Sequence, residues 1–461
     1  MTDLSRLREL LRGAKGAGGA PTPAPPRPSV DLEAFAAVLG GTLEEGPSGP
    51  CPVVRWWCGG PDGDAPYGGK LAAASSAVST EGLRALCGRG REGEPSWSGP
   101  DPRDGLVFFD LETTGLSGGS GTVAFVVGFG CFVGARFHVW QFVLPSFASE
   151  RRLLAAVTAA VARAHTLVTF NGKSFDVPFM EMRWLYQRLE TPLPALRHLD
   201  LLHPARRLWG PETGGLGGLE DRVLGFRRDD DVPGFEIPAR YFEYLRSGDA
   251  RPLRGVLAHN QLDLVSLGVL TGMACDVVDR GAQAAGSGRQ SLGLGRLYER
   301  GGREADAPGC YERAVALTSG AGVTRGRGMG GRGMDARGTM EFNAVAVRAE
   351  SLYRLALACR RQRRHSDAAR YWQALIDLGR RPAGVFEREA LRALAVHHEH
   401  RLKDTDGALN FARRAYAVEY TAGRRRDVER RLTRLERRLA NQAETAASSP
   451  GRPLAPQYSR D

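Results

Sequence analysis

The first candidates for chemistry are two acidic residues, Asp110 and Glu112, which directly follow the apolar run at 106–109. Such a run predicts a buried strand, and the period of two along a strand places both carboxylates on one face. Two carboxylates at this spacing repel each other, and a divalent cation with oxygen ligands, such as Mg²⁺ or Mn²⁺, relieves the repulsion. A solvated strand end without a metal is the alternative interpretation.

Two further motifs bring acidic residues from later in the chain. Asp176 follows another strand-like run and is predicted to open a helix, where its charge suits the helix N-terminus. An ordinary N-cap would need the same residue type. His259 and Asp263 are four residues apart on a predicted helix, so they share one face. A helix-face pair without a catalytic role is the alternative.

The three motifs are more specific together than apart. If the strand end and the two helices meet at one edge of a sheet, four carboxylates converge there. Two divalent cations about 3.5–4 Å apart can activate a water and stabilise the leaving oxygen in phosphodiester hydrolysis. His259 would then lie beside the attacking water as a general base.

Hydrophobic periodicity indicates the elements that must position these residues. Strand-like runs rich in Val and Phe occupy 105–112, 122–133 and 136–144, and helical and strand-like segments then alternate up to residue 278. This order predicts a mixed α/β sheet within a domain at 101–280. Upstream, 1–30 is predicted to be a disordered segment and linker. Residues 31–100 are predicted to be a small region of unclear fold.

Beyond residue 285 the pattern is helical and resembles helical hairpins. Small and large apolar residues recur where two helices would meet, which predicts tetratricopeptide-like repeats over 286–440. The pattern residues are Leu294, Gly295, Tyr298, Ala307, Tyr311, Ala314, Leu355, Ala356, Ala368, Trp372, Leu394, Ala395, Ala408, Ala412 and Ala415. The Gly/Arg-rich insert 319–338 and the tail 441–461 are predicted to be disordered.

The motifs resemble those of the DEDD 3′–5′ exonuclease superfamily, which has the ribonuclease H-like fold. The strings FFDLETTGLSGGSGTVAFVVGFG, LVTFNGKSFDVPFM, LRHLDLLHPARRLW and LAHNQLDLVSLGVL are similar to the YprB-type family of bacterial ribonuclease H-like proteins. This resemblance covers roughly residues 100–278, and members often carry tetratricopeptide repeats after the nuclease-like domain. The fold class it implies is an α/β ribonuclease H-like mixed-sheet domain followed by an all-α repeat domain.

The resemblance also implies roles for the motif residues. Asp110, Glu112, Asp176 and Asp263 would bind two Mg²⁺ or Mn²⁺ ions, and His259 would act as the base. Only three residues separate His259 from Asp263, which is the spacing of the branch that uses Tyr at this position. His259 therefore either removes the proton or mainly orients the water.

Five other residues are candidates for supporting roles. Asp200, at another predicted strand end, would support the metal ligands without binding the metals itself. A cap for the following helix is the alternative. Phe175 would stack on a terminal base or else belong to the core. Lys173 would meet a phosphate or else be solvated. Thr113 and Asn171 are further candidates for substrate binding.

Composition and charge limit the classes of protein. The 461 residues carry a net charge of +11, and positions 348–440 hold 23 Lys/Arg against 12 Asp/Glu. This concentration favours a polyanionic partner, with a solvated Arg-rich helical surface as the alternative. The seven cysteines contain no CxxC pair, which argues against a zinc site or a disulfide framework. No secretory signal or long apolar run is apparent, so we expect a cytoplasmic protein without a membrane span.

Two functions of different classes remain. The first is a metal-dependent nuclease. The resemblance implies a 3′–5′ exonuclease that acts on a single-stranded end of DNA or RNA. The second is a catalytically weak or inactive nucleic-acid-binding scaffold that recruits a protein partner through its repeats. The presence of all four acidic residues favours the nuclease. The repeats favour a protein partner without excluding catalysis.

Overall fold

The computed structural model describes residues 30–59, 67, 69–89, 101–115, 121–319 and 336–447. Its first part is built on one seven-stranded mixed sheet. The strands are β1 (Thr42–Glu44), β2 (Cys51–Gly59), β3 (Leu106–Thr113), β4 (Ala124–Val133), β5 (Arg136–Val143), β6 (Thr166–Thr169) and β7 (Arg197–Asp200). The predicted strands around the acidic motifs are confirmed.

The strand order is β1-β2-β5-β4-β3-β6-β7. β3, β6 and β7 run parallel, and the other neighbours are antiparallel. Because parallel strands end at the same edge, the carboxyl ends of β3, β6 and β7 meet. The segment 31–100 is not separate from this sheet, since β2 pairs along its length with β5. A boundary at residue 100 therefore cuts through a single sheet.

Helices cover both faces of the sheet. They are α1 (Leu32–Val38), α2 (Lys70–Ala77), α3 (Thr80–Cys87), α4 (Glu150–Ala160), α5 (Asp176–Tyr186), α6 (Leu202–Trp209), α7 (Leu216–Leu219), α8 (Ile237–Ser247) and α9 (Leu253–Arg280). One core packs the sheet against α4, α5 and α8. The other packs it against α2, α3, α6 and α9.

Helix α9 is the central helix of the second core. Together with the turn after it, Leu253–Ala284 is long and apolar enough to cross a membrane by length and composition, yet 72% of its most apolar stretch is buried inside the protein. Two glycines let the sheet and α9 close around the buried Phe137. A Cβ on Gly130 of β4 would lie 2.5 Å from the Phe137 ring, and one on Gly268 of α9 would lie 2.6 Å from it.

The second part of the chain is helical throughout its described residues. Its helices are α10 (Gly288–Gly301), α11 (Ala307–Leu317), α12 (Ala336–Arg361), α13 (His365–Asp377), α14 (Arg380–His397), α15 (Thr405–Val418) and α16 (Ala422–Ala447). The pattern residues predicted to lie between helices are buried, and Gly295 faces the Tyr311 ring, where a Cβ would lie 2.4 Å away. The helical architecture is thus as expected. Its assignment to tetratricopeptide repeats stays a prediction.

The two parts share one core. Leu292, Leu294 and Leu297 of α10 belong to the same apolar cluster as Leu208 of α6 and Val278 of α9. The Tyr298 hydroxyl donates a hydrogen bond of 2.6 Å to the carbonyl of Val278. The predicted division before residue 286 therefore does not separate two independent cores.

Three segments predicted to be disordered lie wholly or partly outside the described residues. These are the N-terminal segment up to residue 29, positions 320–335 of the insert, and the tail from residue 448. The prediction is wrong for two described stretches, because 336–338 begin α12 and 441–447 complete α16. The latter stretch, NQAETAA, is rich in residues that tolerate or favour a helix, so α16 continues through it.

We predict that Phe137→Ala lowers the free energy of unfolding by about 3–5 kcal/mol, because a buried ring is replaced by a cavity. Chemical denaturation followed by circular dichroism would measure the change. Phe235→Ala is the matched control, since Phe235 is 73% exposed and its loss should change stability little. Equal effects of the two substitutions would contradict the proposed packing around Phe137.

Candidate active site

Asp110 and Glu112 lie on the α9 side of β3. Phe108, two residues before Asp110, packs in the core beneath α9, whereas Phe109 packs in the opposite core. The predicted alternation therefore places both carboxylates on one face. The ladder with β4 shifts register between Glu112 and Thr113, so the regular strand pairing is disturbed directly after the acidic pair.

Asp176 reaches the same edge through the loop that follows β6. It is the first residue of α5, and the N-cap position is occupied by Phe175, so the N-cap interpretation of Asp176 is wrong. Burial, with the negative charges of Asp200 and Asp263, raises the pKa of Asp176 to about 7. The carboxylate is therefore in an environment that disfavours its charge.

Asp200 anchors the loop that carries Asp176. Its buried carboxylate accepts backbone N–H hydrogen bonds from Asn171 (2.8 Å) and Lys173 (3.1 Å). It also accepts one from Leu202 (3.2 Å) in the first turn of α6. Asp200 thus accepts from the first N–H group of α6, although the N-cap position itself is Leu201. The same carboxylate holds the loop that carries the candidate ligand Asp176. Asn171 itself has a φ of 67°, a backbone conformation that Asn tolerates better than most residues.

Helix α9 contributes the third side of the site. Asn260, which sequence reasoning missed, is fully buried and donates a hydrogen bond of 2.8 Å from Nδ2 to Oδ2 of Asp110. Its Oδ1 accepts a hydrogen bond of 2.8 Å from Gln141 of β5. Gly128, opposite Asp110 on β4, makes room for this amide, because a Cβ there would lie 2.2 Å from Asn260 Oδ1.

The carboxylates affect one another electrostatically. Burial and the charges of Asp263 and Asp176 raise the pKa of Asp110 well above its usual range. The pKa of Glu112 is also raised well above its usual range, by burial first and then by the charges of Asp110, Asp263 and Asp176. The pKa of Asp263 is also raised by burial, although Arg228 and His259 oppose the shift. The structure thus brings together the four acidic residues that the motifs predicted.

Arg228 is the main cation that the protein itself places among these acids. It lies in the loop between α7 and α8, and its guanidinium forms hydrogen bonds with Glu220 (2.9 Å from Nε), Asp231 (3.1 Å) and Asp263. Burial opposes its charge, but Asp263 and Glu220 outweigh that effect and raise the pKa of Arg228. The run Arg227–Asp231 is strongly charged in the sequence, which was the available signal for this loop.

Asp231 holds the ring of His259. The Nδ1 atom of His259 lies 2.8 Å from Oδ1 of Asp231, while Nε2 lies 3.6 Å from Oδ2 of Asp263. Burial raises the pKa of Asp231. The hydrogen bond from His259 and the charge of Arg228 outweigh this effect and keep the pKa below its usual range. Since the carboxylate of Asp231 accepts, Nδ1 of His259 donates to it, and Nε2 faces Asp263.

The remaining candidates lie around the edge of the site. The Thr113 hydroxyl donates a hydrogen bond of 2.9 Å to the carbonyl of Gly115 and thus shapes the turn after β3. Lys173 is exposed, and Phe175, directly before Asp176, is 61% exposed. The core interpretation of Phe175 is therefore wrong. An exposed ring next to a candidate ligand is compatible with stacking on a base.

Within the described residues, no three His, Cys, Asp or Glu side chains already have the arrangement of metal ligands. The hydrogen bonds explain this, because Asp263 is oriented toward Arg228 and Asp110 toward Asn260. The donor set nevertheless suits hard divalent cations, since it consists of carboxylate oxygens with an excess of negative charge. Such a set can bind cations and, with His259, accept a proton from a nearby water.

Comparison with known proteins agrees with the architecture. Residues 107–274 match the profile of the RNase_H superfamily. A protein of Bacillus subtilis (strain 168), named as the uncharacterized protein YprB, is 40% identical over 168 residues, which are 36% of this chain and 40% of that protein. The chain thus matches well under half the length of this curated relative. The range of the profile match contains the four acidic residues and His259. The mixed seven-stranded sheet with its helices is consistent with a ribonuclease H-like domain.

We predict that Asp110→Asn raises the melting temperature of the metal-free protein at neutral pH. The substitution removes a charge that burial, Asp263 and Asp176 disfavour, and it retains an oxygen that can accept from Asn260. A gain is expected because an uncharged amide avoids the burial cost and the repulsion that the carboxylate meets at neutral pH.

Asp249→Asn is the control for this measurement, since Asp249 is partly exposed, lies outside the acidic cluster and pairs with Arg251 at 2.7 Å. It should leave the melting temperature unchanged or lower it slightly. Calorimetry in EDTA would compare the variants. A fall for Asp110→Asn would mean that its charge is compensated in the native protein.

Proposed function

We propose that this protein is a metal-dependent nuclease of the DEDD type that hydrolyses phosphodiester bonds of DNA or RNA, most simply as a 3′–5′ exonuclease. The observation that carries the proposal is the convergence of Asp110, Glu112, Asp176 and Asp263 at one sheet edge. Burial raises the pKa of all four, and the charges of Asp110, Asp176 and Asp263 raise the pKa of neighbouring carboxylates in the group. The match of residues 107–274 to the profile of the RNase_H superfamily supports nuclease chemistry in general. Members of this superfamily commonly use divalent metals.

The four carboxylates would hold two Mg²⁺ or Mn²⁺ ions. The chemistry that such ions supply when bound is activation of a water and stabilisation of the charge on the phosphate. Asp263 forms an ion pair with Arg228, so a metal cation that binds this carboxylate would compete with the guanidinium. Asp200 keeps Asp176 in place through the loop N–H groups.

His259 is proposed to take the proton of the attacking water at Nε2. Asp231 supports this role by orienting the ring through Nδ1, an arrangement that leaves Nε2 directed to the acid cluster. Arg228 links Asp231 to Asp263 and so connects the orientation of the base with that of a ligand. Phe175 and Lys173 are exposed beside Asp176 and would contact a terminal base and a phosphate.

A cleavage assay tests the proposal. End-labelled single-stranded DNA and RNA would be incubated with Mn²⁺, Mg²⁺ or EDTA, using the native protein and Asp110→Asn. We expect metal-dependent shortening from the 3′ end, reduced at least about 10³-fold in the variant because a ligand is lost. Asp249→Asn should cleave like the native protein.

Unchanged cleavage by a pure Asp110→Asn preparation would contradict the role of the acidic cluster. Endonucleolytic products would support the proposed nuclease activity and contradict its assignment as an exonuclease. If the folded native protein cleaves neither strand with any metal, the alternative of an inactive scaffold with a protein partner is favoured instead.

We predict a second effect, at Asp231. Asp231→Asn should lower kcat about 10–100-fold with little change in KM, because the ring of His259 loses its carboxylate while the substrate contacts remain. Asp231→Glu should restore part of the rate. Asp229→Asn, an exposed neighbour in the same loop, should leave both constants unchanged. A change in KM alone would indicate that Asp231 shapes the binding surface rather than the base.

A further inference from the structure

A cluster of arginines lies where the ribonuclease H-like domain meets the helical part. Arg207 of α6, Arg296 and Arg300 of α10, and Arg354 of α12 line an open cavity of about 480 Å³, together with Glu299. The cavity lies outside the acidic site. Its charges belong to both parts of the chain, so it exists only because α10 packs on α6.

This packing is unusually close. A Cβ on Gly293 would lie 1.9 Å from the carbonyl oxygen of Arg207, so only glycine allows α10 to lie directly on α6 here. Gly293, Arg296 and Arg300 follow one another at helical spacing on the same face of α10. The backbone of α6 at Arg207 and the backbone of α10 at Arg296 and Arg300 are thus held at a fixed separation.

The arginines outnumber the carboxylates near them. Arg296 and Arg354 share Glu350, and Arg354 and Arg361 share Glu299. For Arg207 and Arg300, no ion pair is formed with any carboxylate in the part of the chain that the structure describes. Arg207 is half-buried, and burial together with the charges of Arg300 and Arg296 lowers its pKa.

Arg354 borders the cavity from the helical part of the chain. Its Cζ atom lies 5.8 Å from the centre of the buried Tyr311 ring. Its guanidinium pairs with Glu299 and Glu350, so this side chain is held in place at the edge of the cavity.

We propose that Arg207, Arg300 and Arg296 form a binding site for a phosphate group at this junction. Arginine suits the role because its planar guanidinium donates paired hydrogen bonds to phosphate oxygens. The repulsion among the unliganded arginines is relieved when the anion binds. The phosphate comes either from a nucleic-acid backbone or from a free nucleotide or phosphate ion. The site does not depend on the proposed catalytic activity.

Binding of inorganic phosphate to the full chain tests the site. Isothermal titration in EDTA, at constant ionic strength set with chloride, excludes a contribution from divalent cations at the acidic residues. Arg207→Gln and Arg300→Gln should each weaken binding about tenfold, the loss expected for charge-assisted hydrogen bonds. Arg206→Gln is the matched control, because Arg206 is the exposed neighbour on α6 and does not line the cavity.

Equal losses in the Arg206 and Arg207 variants would overturn the site, since the effect would then be one of general surface charge. No binding above that of chloride would also overturn it. Without phosphate, Arg207→Gln should melt at the native temperature or above it, because repulsion is removed. A clearly lower melting temperature would show that Arg207 is a structural residue and would contradict the proposal.

A single-stranded oligonucleotide, also in EDTA, distinguishes the source of the phosphate. If the site takes a backbone phosphate, Arg207→Gln weakens oligonucleotide binding and reduces its salt dependence by about one phosphate contact. If it takes a free nucleotide or phosphate ion, oligonucleotide affinity is unchanged while phosphate binding is lost. Either result upholds the site, and neither depends on cleavage.

Discussion

The site depends on the unfavourable placement of like charges away from bulk water. Asp110, Glu112, Asp176 and Asp263 meet where the strands end against α9, and burial and mutual repulsion act together against their ionised forms. A structure tolerates such a cluster only if the surrounding elements hold it rigidly and some positive charge reaches it. Here Arg228 and the amide of Asn260 compensate part of the charge from within the protein. The uncompensated remainder gives a physical reason for a cation to bind.

One helix connects this cluster to the stability of the fold. The apolar face of α9 covers the sheet, with Gly268 against the Phe137 ring. The two helical turns before Gly268 carry His259, Asn260 and Asp263. The position of the polar residues over β3 is therefore set by the packing of the apolar ones. Arg228, in the loop between α7 and α8, then forms ion pairs with Asp263 of these turns and with Glu220 and Asp231. Small shifts of α9 would move a base, an amide donor and a candidate ligand together.

The sequence predicted the parts of the site that rest on local periodicity. Asp110 and Glu112 share a face because strands alternate, and His259 and Asp263 contact each other because helices repeat every 3.6 residues. Asn260, Arg228 and Asp231 could not be found in this way, since their partners lie far along the chain and only the packed fold brings them close. The same limit explains why the fold of 31–100 was unclear from the sequence, because pairing between β2 and β5 joins segments that are about eighty residues apart. Likewise, the helical pattern after residue 285 indicated helices but could not reveal that α10 completes the core of the first part.

The molecule has two regions of uncompensated charge with opposite signs. The acidic residues at the end of β3 outnumber the cationic side chains that pair with them, and the arginines between α6 and α10 outnumber the carboxylates that pair with them. The elements that connect them are short, since β7 ends at Asp200, which supports Asp176, and α6 continues from there to Arg207. A neutral small molecule would relieve neither imbalance. A phosphate-containing ligand with its divalent counterions has both required charges, so the two proposals, although tested separately, lead to the same chemical class of partner.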